Sequence, residues 1–180
     1  VDLCVEPSCP DDSTFADAQN VLTKYHLWNK VPESVANYIK NGTPEQETPK
    51  DLSDRNIFNY LVVDVNRAVE GAYERAKELG FNTMILSTFV EGESREIGSM
   101  HAAIAKEISE YNRPLAKPAC FITGGEATMK INIPDPGYGG PSQQFALGAA
   151  VWLRDASGIV IAGTDTDGTD GPTDLAGGMV

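Results

Sequence analysis

The feature that most constrains the fold is a regular alternation of two hydrophobic periods. Strand-like apolar runs at 56–63, 83–89 and 119–123 alternate with segments of helical period at 67–79 and 94–108. Strands and helices in this order pair the strands in parallel, through right-handed crossovers. The sequence therefore predicts an α/β domain in which the ends of several strands share one edge of a sheet.

The helical period also predicts which side chains face the sheet. The expected inward residues are Val69, Ala72, Tyr73 and Ala76 in the first helix, and Ile97, Met100, Ile104 and Ile108 in the second.

A short helical segment precedes this domain. Residues 14–25 have helical spacing with Asp12 or Ser13 as cap, and Pro32 begins a second helix that turns Val35 and Ile39 inward. Residues 43–54 are polar and hold two prolines, which is typical of a linker. The expected domains are therefore 1–52, a helical tail, and 53–180, the α/β domain.

Beyond residue 123 the pattern is less regular. The pair Gly124-Gly125 separates two apolar runs, which predicts a hairpin of 119–123 with 128–133. A helix over 143–154 is apolar nearly all round, so we expect it to be buried on several sides, and a strand follows at 158–162. The expected fold class is α/β, with a mixed, largely parallel sheet flanked by helices and preceded by a short helical segment.

Charge and composition exclude several functions. The net charge is −12 and three residues are cysteine. Such a charge repels phosphate backbones and anionic lipid, so we expect no nucleic-acid and no membrane partner. The longest apolar stretch, 145–153, is far shorter than the roughly 20 residues of a membrane helix. The cysteines lack metal-ligand spacing and indicate a reduced, cytoplasmic compartment, with a local Cys4–Cys9 disulfide as the alternative.

An acidic loop is the strongest chemical signal. The sequence GTDTDGTDGPTD follows a strand and holds four carboxylates, Asp165, Asp167, Asp170 and Asp174. Carboxylates this close repel one another unless a cation or donated hydrogen bonds compensate. An EF-hand is excluded because its twelfth position, counted from Asp165, is Ala176 rather than glutamate. The loop is either a site for a hard cation or polar ligand, or a series of Asp/Gly turns and helix caps.

Two glycine-rich segments are further candidates. Gly124, Gly125 and Glu126 end a strand, where glycines admit a ligand to the main chain and Glu126 could accept a hydroxyl hydrogen. The loop with Gly139 and Gly140 opens a helix near Gln143, where amides and the helix dipole could bind an anion. A hairpin turn and a capped turn are the respective structural alternatives.

Other polar residues are weaker candidates. Asn66 and Arg67 begin a helix after a strand and could hold an anion, although Arg67 could simply pair with Glu70. His101 lies on an apolar helix face, where a hydrogen-bonded core histidine is the better interpretation. No Gly-Lys pair is present, which excludes a P-loop, and a dinucleotide fingerprint is only approached at 137–142.

The order of these motifs resembles a known family. The runs PDDSTFADA, YHLWNKVPESV, EGESREIG, HAAIAKEI, PACFITGGEAT, GGPSQQFAL and TDGTDGPTDLAGG are together similar to the C-terminal part of the glycerate 2-kinase family with a MOFRL domain, often labelled hydroxypyruvate reductase. The resemblance implies ATP-dependent, Mg²⁺-assisted phosphorylation of the 2-hydroxyl of D-glycerate in a cleft between two α/β domains. It also implies a missing N-terminal domain as partner, a truncated C-terminus and a chain that is inactive alone. A homodimer is a further open expectation.

The resemblance assigns roles to residues. It implies Asp167, Asp170 and Asp174 as ligands of Mg²⁺ or polar substrate groups. It implies a substrate and phosphate site at Gly124, Gly125, Glu126, Gly139, Gly140, Gln143, Asn66 and Arg67. In three places the sequence departs from the family pattern: Pro141 stands where an arginine is usual, Val5-Glu6-Pro7-Ser8 stands where Ser-Gly-Pro-Thr is usual, and Thr164-Asp165 is an addition to the loop.

Two rival functions remain open at this stage. One is a nicotinamide-dependent hydroxypyruvate reductase, against which the missing dinucleotide fingerprint argues. The other is a non-catalytic module that binds Ca²⁺ or a protein.

Overall fold

The structure is a computed structural model and describes residues 8–180. Cys4 and its proposed disulfide lie outside the described residues, while Cys9 and Cys120 are free thiols. The chain forms two compact units that divide between Val62 and Val63, later than the boundary expected at 52/53. Their roles as the tail of one domain and most of another stay predictions.

The first unit is built on two helices, α1 (Phe15–Lys24) and α2 (Glu33–Asn41). The cap of α1 is Thr14, not Asp12 or Ser13, because Thr14 and Asp17 form a reciprocal capping box. Pro32 is the cap of α2 rather than its first residue. In α2, Ala36 is buried and the expected inward residue Val35 is exposed.

The predicted linker packs against the start of α1. The main-chain N–H of Phe15 donates to the Glu47 carboxylate over 2.9 Å, and that of Asp11 donates to the Pro49 carbonyl over 3.0 Å. A short 3₁₀ turn, Pro44–Gln46, lies in the same stretch. These bonds hold the polar segment in place, so it is part of the first unit and not a free connection.

Helix α1 ends in a strained position. The N–H of Leu27 donates to the Leu22 carbonyl and that of His26 to the Thr23 carbonyl, the two bonds of a Schellman motif. This motif places His26 in the left-handed region, with φ of 54°. Glycine is the usual residue there because a Cβ crowds the following carbonyl.

Replacing His26 by glycine should therefore stabilise the first unit, by about 1 kcal/mol. Trp28 lies in this unit and Trp152 in the other, so urea unfolding followed by Trp28 fluorescence in a Trp152→Phe background measures the change. His26→Ala is the control and should give no such gain. An equal gain from both variants would show that loss of the imidazole, rather than relief of the backbone, is responsible.

The first predicted strand is wrong. Residues 56–63 form no strand, and their apolar side chains are exposed. The exposed fraction of Val62, for example, is 86%. An apolar run becomes a strand only when another strand accepts its hydrogen bonds, and the described chain offers no such partner to this run. Helix α3 (Val65–Glu78) follows, capped by Asp64, whose carboxylate accepts the N–H of Arg67 over 2.8 Å.

The second unit contains the expected parallel pair. Strand β1 (Asn82–Glu93) runs beside β2 (Ala119–Thr128), in register from Asn82 opposite Ala119 to Glu93 opposite Thr128. Parallel pairing is confirmed. The predicted hairpin is wrong, because β2 continues through Gly124 and Gly125 and residues 129–133 form no strand.

Packing explains the two glycines in β2. A side chain at Gly124 would collide with Val65 and Val69 of α3, and one at Gly125 would collide with the main chain of Val90. Gly125 also has a φ of 152°. These positions are glycine because neighbours approach closely, so they allow the strand to pass where we expected it to turn.

Helices cover both faces of this sheet. Gly124 faces α3, whereas Thr123 hydrogen-bonds His101 of α4 (Ser94–Tyr111) and Phe121 stacks on the same imidazole. Neighbouring strand residues point to opposite faces. Helix α3 therefore lies on one face and α4 on the other, which confirms the α/β class.

Small residues decide which face of α4 is buried. Ile108 is buried as expected, and Ile97 and Ile104 are half-buried. The prediction is wrong for Met100, which is exposed. In α3, Val69 and Ala76 are buried as expected, but Ala72 is exposed. The residues of α4 that are buried are Ser94, Gly98, His101, Ala102, Ala105 and Ile108.

The close partner of α4 is α5 (Pro141–Leu153), which confirms the last predicted helix. A Cβ at Gly98 would meet the Phe145 carbonyl, and one at Gly148 would meet the main chain of Arg95. The outer side of α5 exposes Leu147, Val151 and Trp152, so its burial on several sides is not observed. The core joins these helices to Ile161 and consists of Ala102, Ala105, Ala149, Leu153 and Ile161.

The chain ends in a two-stranded antiparallel ribbon. Strand β3 (Ala162–Thr164) starts later than the predicted 158–162 and pairs with β4 (Gly177–Met179). Both strands pack on α5. Within residues 8–180, no helix is both long and apolar enough to cross a membrane.

The contact between α4 and α5 can be tested with a matched pair of helix glycines. Gly148→Ala should destabilise the second unit by about 1–3 kcal/mol, because the new methyl group overlaps main-chain atoms of Arg95. Gly71→Ala in α3, where no atom lies within 4 Å, should instead stabilise it by about 0.5–1 kcal/mol. Urea unfolding of both variants checks this, and equal effects would contradict the packing account.

Candidate functional site

The acidic loop joins the two strands of the terminal ribbon. Asp165 follows β3, and its N–H donates to the carbonyl of Ala176, which precedes β4. Asp170 lies in the middle of the loop and is completely buried, with 0% of its surface exposed. Asp167 and Asp174 are exposed. The four carboxylates therefore occupy very different environments.

Asp170 caps helix α5 across the fold. Its Oδ1 accepts the N–H of Ser142 over 3.0 Å, and its Oδ2 accepts the N–H of Gln143 over 2.7 Å. Gly140, the residue at the cap position of α5, supplies no side-chain cap. The anion expected at this helix end is thus the carboxylate of the chain's own Asp170.

The predicted anion-site residues take part in this cap. A Cβ at Gly140 would overlap the Asp170 carboxylate, and one at Gly171 would overlap the Gly139 carbonyl. The side-chain amide of Gln143 donates to the Thr173 hydroxyl over 3.1 Å. Gly139, Gly140 and Gln143 are therefore engaged with the acidic loop.

Asp165 lies within electrostatic reach of three other carboxylates. Partial burial raises the pKa of Asp165, and the negative charges of Asp167, Asp170 and Glu126 raise this pKa further. Glu126 comes from β2 and the aspartates from the ribbon loop. Glu126 and the acidic loop thus lie within electrostatic reach, so the loop and the Gly-Gly-Glu segment share one region.

The geometry does not form a ready metal site. Within residues 8–180, no group of three or more His, Cys, Asp or Glu side chains is placed to hold a metal ion. Both oxygens of Asp170 already accept main-chain N–H groups. The structure therefore does not gather Asp167, Asp170 and Asp174 around a common point, and a bound Mg²⁺ does not fit these three residues as they stand.

Asn66 and Arg67 lie in the first turn of α3. Both side chains bond the carboxylate of Glu70, over 3.0 Å and 3.3 Å. Val65, which precedes them, packs directly against Gly124 of β2. Because Glu126 is two residues beyond Gly124, this turn lies at the same end of β2 as Glu126. The side chains of Asn66 and Arg67 are both exposed.

His101 lies beneath this region as a core residue, as predicted. Its Nδ1 is 2.8 Å from the Ile97 carbonyl, its Nε2 is 2.9 Å from the Thr123 hydroxyl, and its ring packs on Phe121 and Phe145. Burial lowers the pKa of His101 and outweighs the opposing bond to Ile97. The imidazole is therefore neutral and structural.

This lowered pKa predicts a loss of stability in mild acid. Below about pH 6.5 the unfolded state binds a proton at His101 that the folded state does not, so the free energy of unfolding should fall between pH 7.5 and 5.5. The raised pKa of Asp165 acts in the opposite direction, at lower pH. Urea unfolding followed by Trp152 in a Trp28→Phe background measures the slope, and His101→Gln should flatten it. An unchanged slope in His101→Gln would assign it to another group.

Sequence reasoning missed two members of this arrangement. Thr173 accepts from Gln143 and donates to the Asp170 carbonyl over 2.7 Å. Gly171 has a φ of 61° and leaves room for the Gly139 carbonyl. The usable signal was the pairing of two motifs, Gly139-Gly140 and Asp170-Gly171, since a buried carboxylate needs both donors and space.

Comparison with known proteins identifies the family. Residues 119–180 match the MOFRL family. Along 97% of its length, the chain is 43% identical to a D-glycerate 2-kinase from Thermotoga maritima and 40% identical to a glycerate 2-kinase from Pyrococcus horikoshii. The chain is a member of the glycerate 2-kinase family with a MOFRL domain.

Solved structures agree with this assignment. The crystal structure of a glycerate kinase from T. maritima superposes with a TM-score of 0.68 over 95% of this chain, at 43% identity. A relative from Agrobacterium vitis, 36% identical over 97% of the chain, carries the name of a hydroxypyruvate reductase. The chain spans about 39% of the length of the two kinases and of the crystallised protein.

Proposed function

We propose that this chain is part of a glycerate 2-kinase, which transfers a phosphoryl group from ATP to the 2-hydroxyl of D-glycerate. The observation that carries the proposal is the 40–43% identity to two glycerate 2-kinases along 97% of the chain. The structure supports it with a polar region at the carboxyl end of β2, where α/β proteins commonly bind their ligands.

In this proposal the acidic residues bind the hydroxyl groups of D-glycerate. Glu126 is exposed at the end of β2 and can accept the proton of the attacking hydroxyl. Asp165 is within electrostatic reach of Glu126, and Asp165 and Asp167 can hydrogen-bond a second hydroxyl. Because its pKa is raised, the carboxyl of Asp165 stays protonated to a higher pH than an ordinary aspartate, and in that form it can also donate a hydrogen bond.

The phosphate groups need positive partners. Because Asp170 occupies the N-terminus of α5, Asn66 and Arg67 at the start of α3 are the remaining predicted donors near Glu126. Arg67 would exchange Glu70 for a phosphate oxygen. Pro141 stands at the position of the family's usual arginine, so further positive charge would come from outside this chain.

In this proposal Mg²⁺ is bound to the phosphate groups of ATP. In phosphoryl transfer the ion neutralises charge on the phosphates. No group of three ligating side chains is ready for it within residues 8–180, so we assign the ion to ATP and no step to the acidic loop.

The test uses the protein encoded by the complete reading frame that contains this sequence. With D-glycerate, ATP and Mg²⁺ it should form ADP, and Glu126→Gln should lower kcat about 100-fold because the proton acceptor is lost. Asp155→Asn, an exposed carboxylate after α5, is the matched control and should leave the rate unchanged. An unaffected rate in Glu126→Gln would remove this residue from the mechanism.

The isolated 180-residue chain should form no ADP under the same conditions, because the donors for the nucleotide are incomplete in it. Turnover by this chain alone would show that it contains a whole active site. Oxidation of NADH or NADPH with hydroxypyruvate, in place of ADP formation, would support the reductase suggested by the name of the A. vitis relative.

A further inference from the structure

We propose that Asp170 is a positioning residue whose buried carboxylate fastens the acidic loop to α5 and so sets the place of the neighbouring carboxylates Asp165 and Asp167. The inference rests on the proposed function for its catalytic consequence. It replaces the role of metal ligand that the sequence suggested for Asp170.

The first argument is the balance of charge and burial. A fully buried carboxylate is costly unless it is paired or receives several hydrogen bonds. Asp170 forms none of the ion pairs found within residues 8–180; the N–H groups of Ser142 and Gln143 and the dipole of α5 compensate it instead. Without this carboxylate both N–H groups would be left unpaired inside the protein.

The second argument is the fit around the carboxylate. A side chain at position 140 would overlap the Asp170 carboxylate, and a side chain at position 171 would overlap the Gly139 carbonyl, so both positions are glycine. The two loops interlock through these four residues. A longer acid at position 170 has no room to keep both bonds, so the position requires aspartate rather than merely a negative charge.

The third argument is how the cap connects to the rest of the loop. The N–H of Asp170 donates to the Leu175 carbonyl over 2.8 Å, and the N–H of Asp165 donates to the Ala176 carbonyl over 2.6 Å. Thr173 adds a bond to the Asp170 carbonyl and receives one from Gln143. The loop is therefore closed at its base by Asp165 and Ala176 and held in its middle by Asp170, so releasing Asp170 frees Asp167 and loosens Asp165.

The experiment compares two variants of Asp170 with a second helix cap in the complete protein. Asp170→Asn removes the charge and replaces one hydrogen-bond acceptor by a donor, whereas Asp170→Glu keeps the charge and makes the side chain one methylene longer. Asp17→Asn is the matched control, because Asp17 accepts the N–H of Thr14 in the capping box of α1 and ties no loop. Rates are measured well below the unfolding temperature of each variant.

We expect both Asp170 variants to lower kcat at least tenfold with a smaller change in KM, and Asp17→Asn to stay within twofold of the wild type. Formate, a free carboxylate, should restore part of kcat in Asp170→Ala and should not change kcat in Asp17→Ala. Wild-type kcat in Asp170→Asn, or in Asp170→Glu, would overturn the proposal.

Hydrogen exchange tests the inference without any turnover. In the wild type, the amides of Ser142 and Gln143 should be as protected as those in the middle of α5, and Asp170→Asn should speed exchange throughout residues 166–175. Rapid exchange of both amides in the wild type would overturn the proposal even if the variants fail to fold. If the wild type is protected as expected but forms no ADP, the proposed function fails and the positioning role stands.

Discussion

The capture of one buried carboxylate by a helix end organises the candidate site. Asp170 belongs to the loop between β3 and β4, and the N–H groups that it accepts belong to the start of α5. A charge in the protein interior is tolerated only where donors are fixed in advance, and the first turn of a helix offers such donors. This contact fixes the acidic loop against α5, and the positions of Asp165 and Asp167 follow from it.

Close approach of main chains is the second constraint, and glycine is the residue that permits it. Gly98 and Gly148 let α4 and α5 touch, while Gly124 and Gly125 let β2 pass beneath α3 and beside β1. These contacts bring the end of β2, with Glu126, towards the loop that α5 holds. Glycines that resembled a ligand-binding signature thus serve the packing that positions the carboxylates. The substrate and phosphate site expected at Gly124, Gly125 and Gly140 stays a prediction.

The errors of the sequence interpretation have physical causes. Helical period placed Met100 inward, but most of the buried residues of α4 are small, and small residues give only a weak hydrophobic signal in the sequence. The run 56–63 has the composition of a strand, yet a strand also needs a neighbour to accept its hydrogen bonds. The Gly-Gly pair suggested a turn because the same residue serves turns and close contacts, and only the neighbouring α3 distinguishes the two. The capping of α5 by Asp170 joins residues far apart in the sequence, which no local pattern reveals.

The sequence by itself determined the α/β alternation, the bounds of α1, α3, α4 and α5 to within a few residues, the parallel pairing and the structural role of His101. These follow from local periods and from the handedness of strand crossovers, which depend on near neighbours in the chain. The tertiary structure alone decided that Glu126 and the acidic loop share one region and that Asp170 is a cap. Both facts depend on contacts between distant segments, where charge, space and hydrogen-bond donors must agree at once. The sequence thus shows that the loop is acidic. Only the fold shows that Asp170 is buried as a helix cap while Asp167 and Asp174 are exposed.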